Sequence, residues 1–274
     1  MEKRKYIKLI LLLPASAERT HLLYTLMQSG FEGFTEEDSF AVGFALPEQL
    51  TDHWKKILEE AKVPYRIETE EEKNWNLLWE KQFRPVLIDG SVYIRASFHP
   101  PAPRGIKEII INPRMSFGTG HHETTTLMIR LMLRENFTNK RIIDMGTGTG
   151  VLAVLACQAG ARDIFAIDID RWAYENAQEN IKLNRCHRKI KLYLSDKTAL
   201  KQIPRADYFL ANINRNILLQ DMEAYVNRLT PGGKLILSGF YLSDLPLIQN
   251  KARTLGMKLV SRILENDWTA AVFV

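Results

Sequence analysis

The sequence has little cysteine and no long uncharged apolar run. Its 274 residues contain only Cys157 and Cys186, too few for a disulfide framework, so we expect a reducing, cytoplasmic location. The apolar run near the start, within Tyr6–Pro14, is much shorter than the roughly 20 residues of a membrane span. Three basic residues before this run imitate a secretory signal, but Pro14 and a charged pair soon after it end the run early. We therefore expect a buried first strand and no membrane partner.

Charge divides the sequence into two parts. Overall composition is average, with 46% apolar and 25% charged residues, which argues against disordered and fibrous classes. Residues 1–72 contain 9 Lys+Arg and 14 Asp+Glu, whereas residues 73–274 contain 28 and 18. This asymmetry predicts two modules with different partners. We place the first module at 1–72, a linker helix at 73–86 and the second module at 87–274.

The first module alternates strand and helix patterns in the order βαββαβ. Strands and helices are predicted, in turn, at Tyr6–Leu13, Ala17–Gln28, Phe31–Thr35, Phe40–Leu46, from Pro47 onward, and at Tyr65–Thr69. This order is typical of a small α+β ferredoxin-like unit. Because the module has no cluster of His, Cys or Ser with a base nearby, we interpret it as a recognition or docking module.

The stretch Glu70–Arg84 predicts an amphipathic connecting helix. Its large apolar residues recur at helical spacing: Trp75, Leu78, Trp79 and Phe83. These side chains either pack on a neighbouring element or form a partner-binding stripe. Two β-rich runs follow, Val86–Phe98 and Lys107–Asn112, and predict a small sheet beside the second module.

The second module alternates strands and helices. Strands are predicted at Arg141–Met145, Asp163–Ile169, Ile190–Leu194, Tyr208–Ile213 and Lys234–Ser238, and as a late pair at Lys258–Glu265 and Thr269–Val274. Helical patterns between the first five strands predict an α/β fold with a parallel, doubly wound sheet, and the late pair predicts an antiparallel edge. Ligands bind such sheets at the carboxyl ends of the strands, where the strand order reverses.

A glycine loop follows the first strand of that sheet. It contains Gly146, Gly148 and Gly150 and opens the helix Val151–Ala159, where free N–H groups and close backbone approach favour a ligand. A dinucleotide fingerprint needs a glycine at the sixth position, which is Val151 here. The loop therefore has the spacing G-x-G-x-G.

Two carboxylates near the loop indicate which ligand it takes. Asp144 precedes Gly146 by two residues, where it would repel a pyrophosphate but attract the sulfonium and ammonium of S-adenosylmethionine. Asp168 lies at the end of the second strand, 22 residues past Gly146, where a carboxylate accepts the ribose hydroxyls. We predict Asp144, Gly146, Gly148 and Asp168 as contacts of a methyl donor. A nicotinamide dinucleotide and a loop without ligand are the alternatives.

Asn212 ends the fourth strand, where a side chain faces the transferred group. Its amide offers an acceptor and donors, so it is predicted to orient an incoming amine, with a cap of the strand end as the alternative. The Asn/Asp-Pro-Pro-aromatic signature of enzymes that methylate adenine or amide nitrogens is absent, because Ile213 and Asn214 follow Asn212. Asn214 and Asn216 are predicted to be local caps.

A second loop, Asn112–Thr126, holds further candidates. Thr125 is predicted in the first turn of the next helix, where hydroxyl and N–H groups hold a carboxylate. His121 and His122 are adjacent, but neighbouring side chains point to different sides and no spacing completes a tetrahedral set, so we predict no metal site. His121 is either a loop histidine held by local hydrogen bonds or a residue beside the substrate.

These two loops resemble the PrmA family of bacterial methyltransferases, which act on the eleventh large-subunit ribosomal protein. The resemblance is carried by Ser116-Phe117-Gly118-Thr119-Gly120-His121-His122, Thr124-Thr125, Asp144-x-Gly146-x-Gly148-x-Gly150, Asp168-Ile169-Asp170 and Ala211-Asn212-Ile213. It covers the second module, while the first agrees in size and in its βαββαβ pattern. Thr147, Thr149 and Asn214 depart from the residues common in the family.

The resemblance implies a Rossmann-like class I methyltransferase sheet behind an acidic docking domain. It implies S-adenosylmethionine as donor and a ribosomal protein, methylated on lysine and N-terminal amines, as substrate, with no direct need for nucleic acid. Carried over position by position, the donor contacts are Thr125, Gly146, Asp168 and Asn212.

Methyl transfer needs a neutral amine held in line with the methyl group, about 3 Å away. We expect Asn212, Phe117 and His121 to position that amine and water to take its proton. An RNA methyltransferase and a non-catalytic ribosome assembly factor are the rival hypotheses.

Overall fold

The structure is a computed structural model that describes residues 5–14, 16–27, 29–31, 33–37, 39–51, 53–71, 83–112 and 116–274. The chain divides into two compact units, Met1–Phe83 and Arg84–Val274. Most of the predicted linker helix at 73–86 lies outside the described residues. Its last part is not helical, since residues 83–85 have no regular structure and Val86 begins a strand.

The first unit has the predicted order βαββαβ. Its elements are β1 Lys5–Leu11, α1 Ala17–Met27, β2 Gly33–Glu36, β3 Ala41–Ala45, α2 His53–Ala61 and β4 Tyr65–Glu71. The sheet order is β2-β3-β1-β4 and every neighbouring pair is antiparallel, which confirms the ferredoxin-like unit. Glu70 and Glu71 belong to β4 rather than to a connecting helix.

The helix predicted from Pro47 is interrupted. Pro47–Gln49 forms a single 3-10 turn, and Leu50 is extended with φ −77° and ψ 128°. Leu50 packs against the core of the unit, and the N–H of Thr51 donates to the carbonyl of Ser29. These two contacts pull the backbone out of helical geometry, so α2 begins only at His53.

The second unit contains a small sheet and a seven-stranded sheet. The small sheet joins β5 Val86–Ile88, β6 Val92–Arg95 and β7 Lys107–Ile110, with β5 antiparallel and β7 parallel to β6. The remaining elements are α3 Glu123–Met132, β8 Arg141–Met145, α4 Val151–Gln158, β9 Asp163–Asp168, α5 Arg171–Leu183, β10 Ile190–Leu194, β11 Ala206–Asn212, α6 Arg215–Val226, β12 Leu229–Tyr241, α7 Leu245–Thr254, β13 Leu259–Glu265 and β14 Trp268–Phe273. The predicted small sheet and the predicted strands are confirmed.

The seven strands run in the order β10-β9-β8-β11-β12-β14-β13. The first five pair in parallel, and β14 pairs antiparallel with both β12 and β13. This confirms the doubly wound sheet with an antiparallel edge. The prediction of an α-helix between β10 and β11 is wrong, because a 3-10 helix, Lys197–Gln202, makes that connection.

Burial explains why the central strands read as apolar runs. Ile142 and Ile143 of β8 are fully buried, as are Phe209 and Leu210 of β11. Successive side chains of a strand point to opposite faces, so both faces of the sheet are covered, as in other doubly wound folds. Within the described residues, no helix has the length and apolar character that crossing a membrane requires.

Candidate active site

The carboxyl ends of β8, β9 and β11 bring most of the predicted ligand-binding residues to one edge of the large sheet. Met145, the last residue of β8, pairs with Ile167 of β9 on one side and with Ala211 of β11 on the other. The connections leave β8 and β11 in opposite directions across the sheet, so their ends form the crevice at which such sheets bind ligands. We call this edge the carboxyl edge.

The glycine loop needs glycine for steric reasons. Gly146 and Gly148 have φ of 71° and 55°, a region that other residues rarely enter. A Cβ on Gly146 would lie 2.4 Å from Cγ2 of Ile213, and one on Gly148 would lie 2.3 Å from the carbonyl oxygen of Phe117. The loop therefore packs directly against the segments after β11 and before α3.

Asp168 holds the loop from the end of β9. Its Oδ2 accepts from the N–H of Gly148 at 2.8 Å, and its Oδ1 accepts from the N–H of Asp170 at 3.0 Å. Each carboxylate oxygen can accept a second bond, so Asp168 can still accept two hydroxyl groups. Ile169 and Trp172, which follow it, are 75% and 72% exposed, and they offer apolar surface beside the carboxylate.

Asp144 lies beneath the glycine loop, with no exposed surface. Thr147 donates its hydroxyl to Oδ2 of Asp144 at 2.6 Å, while Oδ1 has no hydrogen-bond partner among the described residues. Burial and, to a smaller extent, the charge of Asp168 raise the pKa of Asp144 to about 7, although the hydrogen bond from Thr147 opposes this rise. The structure thus shows Asp144 supporting the loop, and its contact with a ligand stays a prediction.

Asn212 and Thr125 meet across the crevice. Nδ2 of Asn212 lies 3.5 Å from Oγ1 of Thr125, which is fully buried in the first turn of α3. Oδ1 of Asn212 is buried and accepts no hydrogen bond from the part of the chain that is described. An unsatisfied buried acceptor is costly, so this oxygen is suited to a donor on a ligand. The predicted cap at Asn214 is confirmed by its bond from Ile217, whereas Asn216 accepts from Arg215 and caps no helix.

The second loop is fastened to the glycine loop through Thr149. Its N–H donates to the carbonyl of Phe117 at 2.9 Å, and its hydroxyl donates to the carbonyl of Gly118 at 2.6 Å. Phe117 itself is 51% exposed. Threonine at this position therefore supplies a direct bond between the two loops, and the Phe117 ring is left at the mouth of the crevice.

The two neighbouring histidines have different surroundings. His122 accepts from the N–H of Thr124 as the cap of α3, and its ring lies between those of Phe117 and Trp268, with centroids 5.0 and 4.9 Å away. His121 is exposed, and its Nδ1 lies 3.1 Å from Oγ1 of Thr119. The side chains thus point to different sides, as predicted. A role for His121 beside the substrate stays a prediction. The described residues contain no group of three His, Cys, Asp or Glu that could hold a metal.

A row of asparagines on α5, which sequence analysis missed, supports both loops. Asn180 is fully buried, its Oδ1 accepts from the N–H of Asn112 at 2.6 Å, and its Nδ2 donates to the carbonyl of Thr149 at 2.9 Å. Asn176 donates to the carbonyl of Asn112, and Asn184 accepts from the N–H of Ile110. The available signal was the recurrence of asparagine, a poor helix former, at a spacing of four residues: Asn176 and Asn180 in α5 and Asn184 at its C-cap.

Comparison of the sequence with known proteins identifies a family and several similar relatives. The profile of the family described as "Ribosomal protein L11 methyltransferase (PrmA)" matches residues 31–274. The chain is 44% identical over 218 residues to a protein of that name from Phocaeicola vulgatus, covering 79% of this chain and 77% of the relative. It is 42% identical to one from Porphyromonas gingivalis over 255 residues, covering 90% and 88%.

A solved structure supports the fold. The crystal structure of a ribosomal protein L11 methylase from Lactobacillus delbrueckii subsp. bulgaricus matches with a TM-score of 0.64 at 24% identity, over 70% of this chain and 97% of that one. At that identity the match shows the fold alone. The family profile and the more similar relatives show more: this chain belongs to the ribosomal protein L11 methyltransferase (PrmA) family.

Proposed function

We propose that the protein is an S-adenosylmethionine-dependent N-methyltransferase that methylates lysine and N-terminal amines of ribosomal protein L11. The proposal rests on family membership and on one structural observation. At the switch point of the sheet, an unpartnered Oδ1 of Asn212 lies across the crevice from Asp168, whose carboxylate holds the glycine loop. Action on a ribosomal protein implies a cytoplasmic location.

The residues at the carboxyl edge fit this donor. The ligand brings two ribose hydroxyls, an ammonium and a sulfonium, all of which favour acceptors and negative charge. Asp168 can accept the hydroxyls, Gly146 and Gly148 let the backbone come close, and Thr125 at the start of α3 offers a hydroxyl near a helix N-terminus. A pyrophosphate would meet the charge of Asp168 without a matching cation among these residues.

Asn212 is the residue that we assign to position the incoming amine. The bound donor supplies a methyl group on a cationic sulfur, and the acceptor must present a lone pair to it. We assign Oδ1 of Asn212 to accept an N–H of the incoming amine, which aims the lone pair away from Asn212 and into the crevice. Because Oδ1 is already buried and unpartnered, this bond removes the desolvation cost of that oxygen.

We assign Phe117 and His121, which lie in the loop before α3, to contact the incoming amine. Phe117 is half exposed at the mouth and is held by its carbonyl bond to Thr149, so its ring can close over the amine and exclude water. Desolvation lowers the pKa of a lysine from about 10.4, which promotes loss of its proton to water. Asp144 is buried beneath the loop, so we assign it no proton-transfer role.

The first unit is the proposed recognition module. Residues 1–72 carry a net charge of −5, from 9 basic and 14 acidic residues. Ribosomal proteins are commonly basic because they contact RNA, so an acidic module attracts such a partner and repels free phosphate. This charge favours a protein acceptor over an RNA acceptor.

One labelling experiment separates this function from its rivals. The protein is incubated with methyl-labelled S-adenosylmethionine and either purified L11, protein-free ribosomal RNA, or both. We expect label in L11 alone, on amines. Label in RNA would support an RNA methyltransferase. Absence of label in both, together with donor binding in calorimetry, would support a non-catalytic assembly factor, and either outcome would contradict the proposal.

A further inference from the structure

Each strand of the large sheet that runs in the common direction is preceded by a lysine or arginine. Strand β13 shares this direction because it is antiparallel to β14, which is antiparallel to β12. The six preceding residues are Lys140, Arg162, Lys189, Arg205, Arg228 and Lys258. Only 37 of 274 residues are basic, so chance would place fewer than one at six positions. We call this row, at the amino ends of the strands, the basic edge.

Backbone bonds connect members of the row. The N–H of Arg162 donates to the carbonyl of Lys140 at 2.8 Å, and the N–H of Ala206, which follows Arg205, donates to the carbonyl of Arg228 at 2.8 Å. Neighbouring strands lie about 4.8 Å apart, so the seven-stranded sheet spreads the row over roughly 29 Å. Two neighbouring pairs of the row are thus directly joined, and all six cations lie along one edge of the sheet.

Further cations extend the row beside β10. Residues 180–195 include no Asp or Glu, and four exposed basic side chains flank Lys189: Lys182, Arg185, Arg188 and Lys191. None of these four forms an ion pair with any residue that the structure describes. The carboxylates Asp163 and Asp207 pair with Arg141, Arg162 and Lys140 elsewhere along the edge. The edge is strongly positive where it meets β10.

Helix dipoles account for only part of this charge. Helices α3 to α7 each precede a strand of the row and end near this edge, and each helix end carries about half a negative charge. Five such ends neutralise about 2.5 positive charges, and the carboxylates Asp163 and Asp207 offset part of the remainder. The six cations of the row and the four beside β10 exceed this negative charge, so the edge keeps a net positive charge that suits an anionic partner.

We propose that the basic edge binds the phosphate backbone of RNA. A row of cations complements an anion with regularly repeated charge, which an RNA strand has and an acidic peptide has only by sequence. The choice of RNA rests on the proposed function, since a ribosomal protein substrate is a protein that binds ribosomal RNA. Aromatic side chains near this edge, Phe137 and Tyr208, are buried, so they offer no stacking surface to bases. The contact is to backbone and insensitive to sequence.

The basic edge is well separated from the donor-binding crevice. Arg162 precedes the first residue of β9 and Asp168 ends it, so about 16 to 20 Å of extended chain lies between them. This is beyond the Debye length of about 8 Å at physiological ionic strength. RNA held at the basic edge is therefore not repelled by Asp168 and does not cover the crevice.

The test compares two triple variants of the full chain. The edge variant is Arg188→Gln, Lys189→Gln, Arg205→Gln. The control variant, Arg104→Gln, Lys107→Gln, Arg262→Gln, removes the same charge from exposed residues off the edge. Binding of a fluorescent RNA duplex of about 16 base pairs is followed by anisotropy between about 50 and 200 mM salt. Thermal unfolding confirms that both variants fold.

We expect the edge variant to bind at least tenfold more weakly and its slope of log K against log salt to be shallower by about 2 to 3. The control variant should stay within about threefold of the parent. Equal losses in both variants, no binding by the parent at low salt, or equally tight binding of polyglutamate would overturn the proposal. Methylation of RNA-free L11 is measured alongside, because its failure with intact RNA binding would contradict only the proposed function.

Discussion

The two ends of the large sheet differ in how their charged groups are held. At the carboxyl edge, Asp144 is fully buried and Asp168 nearly so, and their oxygens bond to loop hydroxyl and backbone N–H groups. At the basic edge, the charged side chains are exposed or half-buried, and some of them form ion pairs with Asp163 and Asp207. Charge that is buried and oriented by backbone can recognise one small ligand, whereas exposed charge can only attract a class of partner. The difference matches a proposed donor site at one edge of the sheet and a proposed docking surface at the other.

The largest expected effect comes from replacing the aspartate at one end of β9, with the aspartate at the other end as the control. Asp168→Ala removes a charge-assisted acceptor for two hydroxyls and leaves the N–H of Gly148 unpaired. We expect roughly a thousandfold weaker binding of S-adenosylmethionine by calorimetry, or about 4 kcal/mol. Asp163→Ala, at the basic-edge end of the same strand, should leave donor affinity unchanged. Equal losses in the two variants would mean that the carboxyl edge has no special role.

The buried carboxyl of Asp144 predicts a pH dependence. Its pKa is raised to about 7 by burial, so the folded state binds more protons than the unfolded state between about pH 4 and 7. Stability contributed by the protonated group is present below pH 4 and is lost as pH rises through 7, by up to about 4 kcal/mol. Asp144→Asn should therefore gain stability relative to the parent as pH rises through this window, in urea unfolding. A constant difference across the window would contradict the assignment.

Glycine substitutions distinguish a close contact from a merely left-handed backbone. A methyl on Gly148 would lie 2.3 Å from the carbonyl oxygen of Phe117, whereas one on Gly232, near the start of β12, meets nothing within 4 Å although φ is 74°. Gly148→Ala should cost about 3 kcal/mol of stability and most of the methylation rate, because two loops must move apart. Gly232→Ala should cost about 1 kcal/mol and leave the rate unchanged. Similar rates in both variants would contradict the proposed importance of the loop contact.

The smallest expected effect is a difference in the KM for the donor between alanine variants of two asparagines, Asn180 and Asn184. Asn180→Ala removes bonds to Asn112 and Thr149, which lead into the two loops, whereas Asn184→Ala removes bonds to Ile110 and to the backbone carbonyl of Asn180. We expect both to lower stability, but only Asn180→Ala to raise the KM for the donor, by about tenfold, equivalent to about 1.4 kcal/mol. Steady-state kinetics with either substrate varied provides the measurement. An equal rise in KM for Asn184→Ala would indicate general destabilisation instead.

Sequence patterns predicted the parts of the site that are local in the chain. Gly146 and Gly148 indicate a tight turn without other information, and the position of Asp168 at the end of a strand indicates a ligand contact. Asn212 was predicted in the same way. For these residues the local backbone requirement and the predicted role coincide, so a few neighbouring residues indicate both.

Contacts between distant segments could not be read in the same way. Asn180 bonds to Asn112, 68 residues away, and the burial of Asp144 depends on how the loop folds over it. The interruption after Pro47 likewise depends on a bond from Thr51 to Ser29. Periodicity describes which face of an element is apolar, but it does not show which polar groups meet once the elements pack.

The hydrogen bonds from Thr149 to Phe117 and Gly118 have a consequence for the order of events at the site. If donor and acceptor bind as proposed, contacts of the donor with the glycine loop restrict the motion of the loop that faces the acceptor. Linkage then requires reciprocity: any factor by which bound donor tightens acceptor binding is the factor by which bound acceptor tightens donor binding. The Thr149 hydroxyl thus couples the two proposed binding steps.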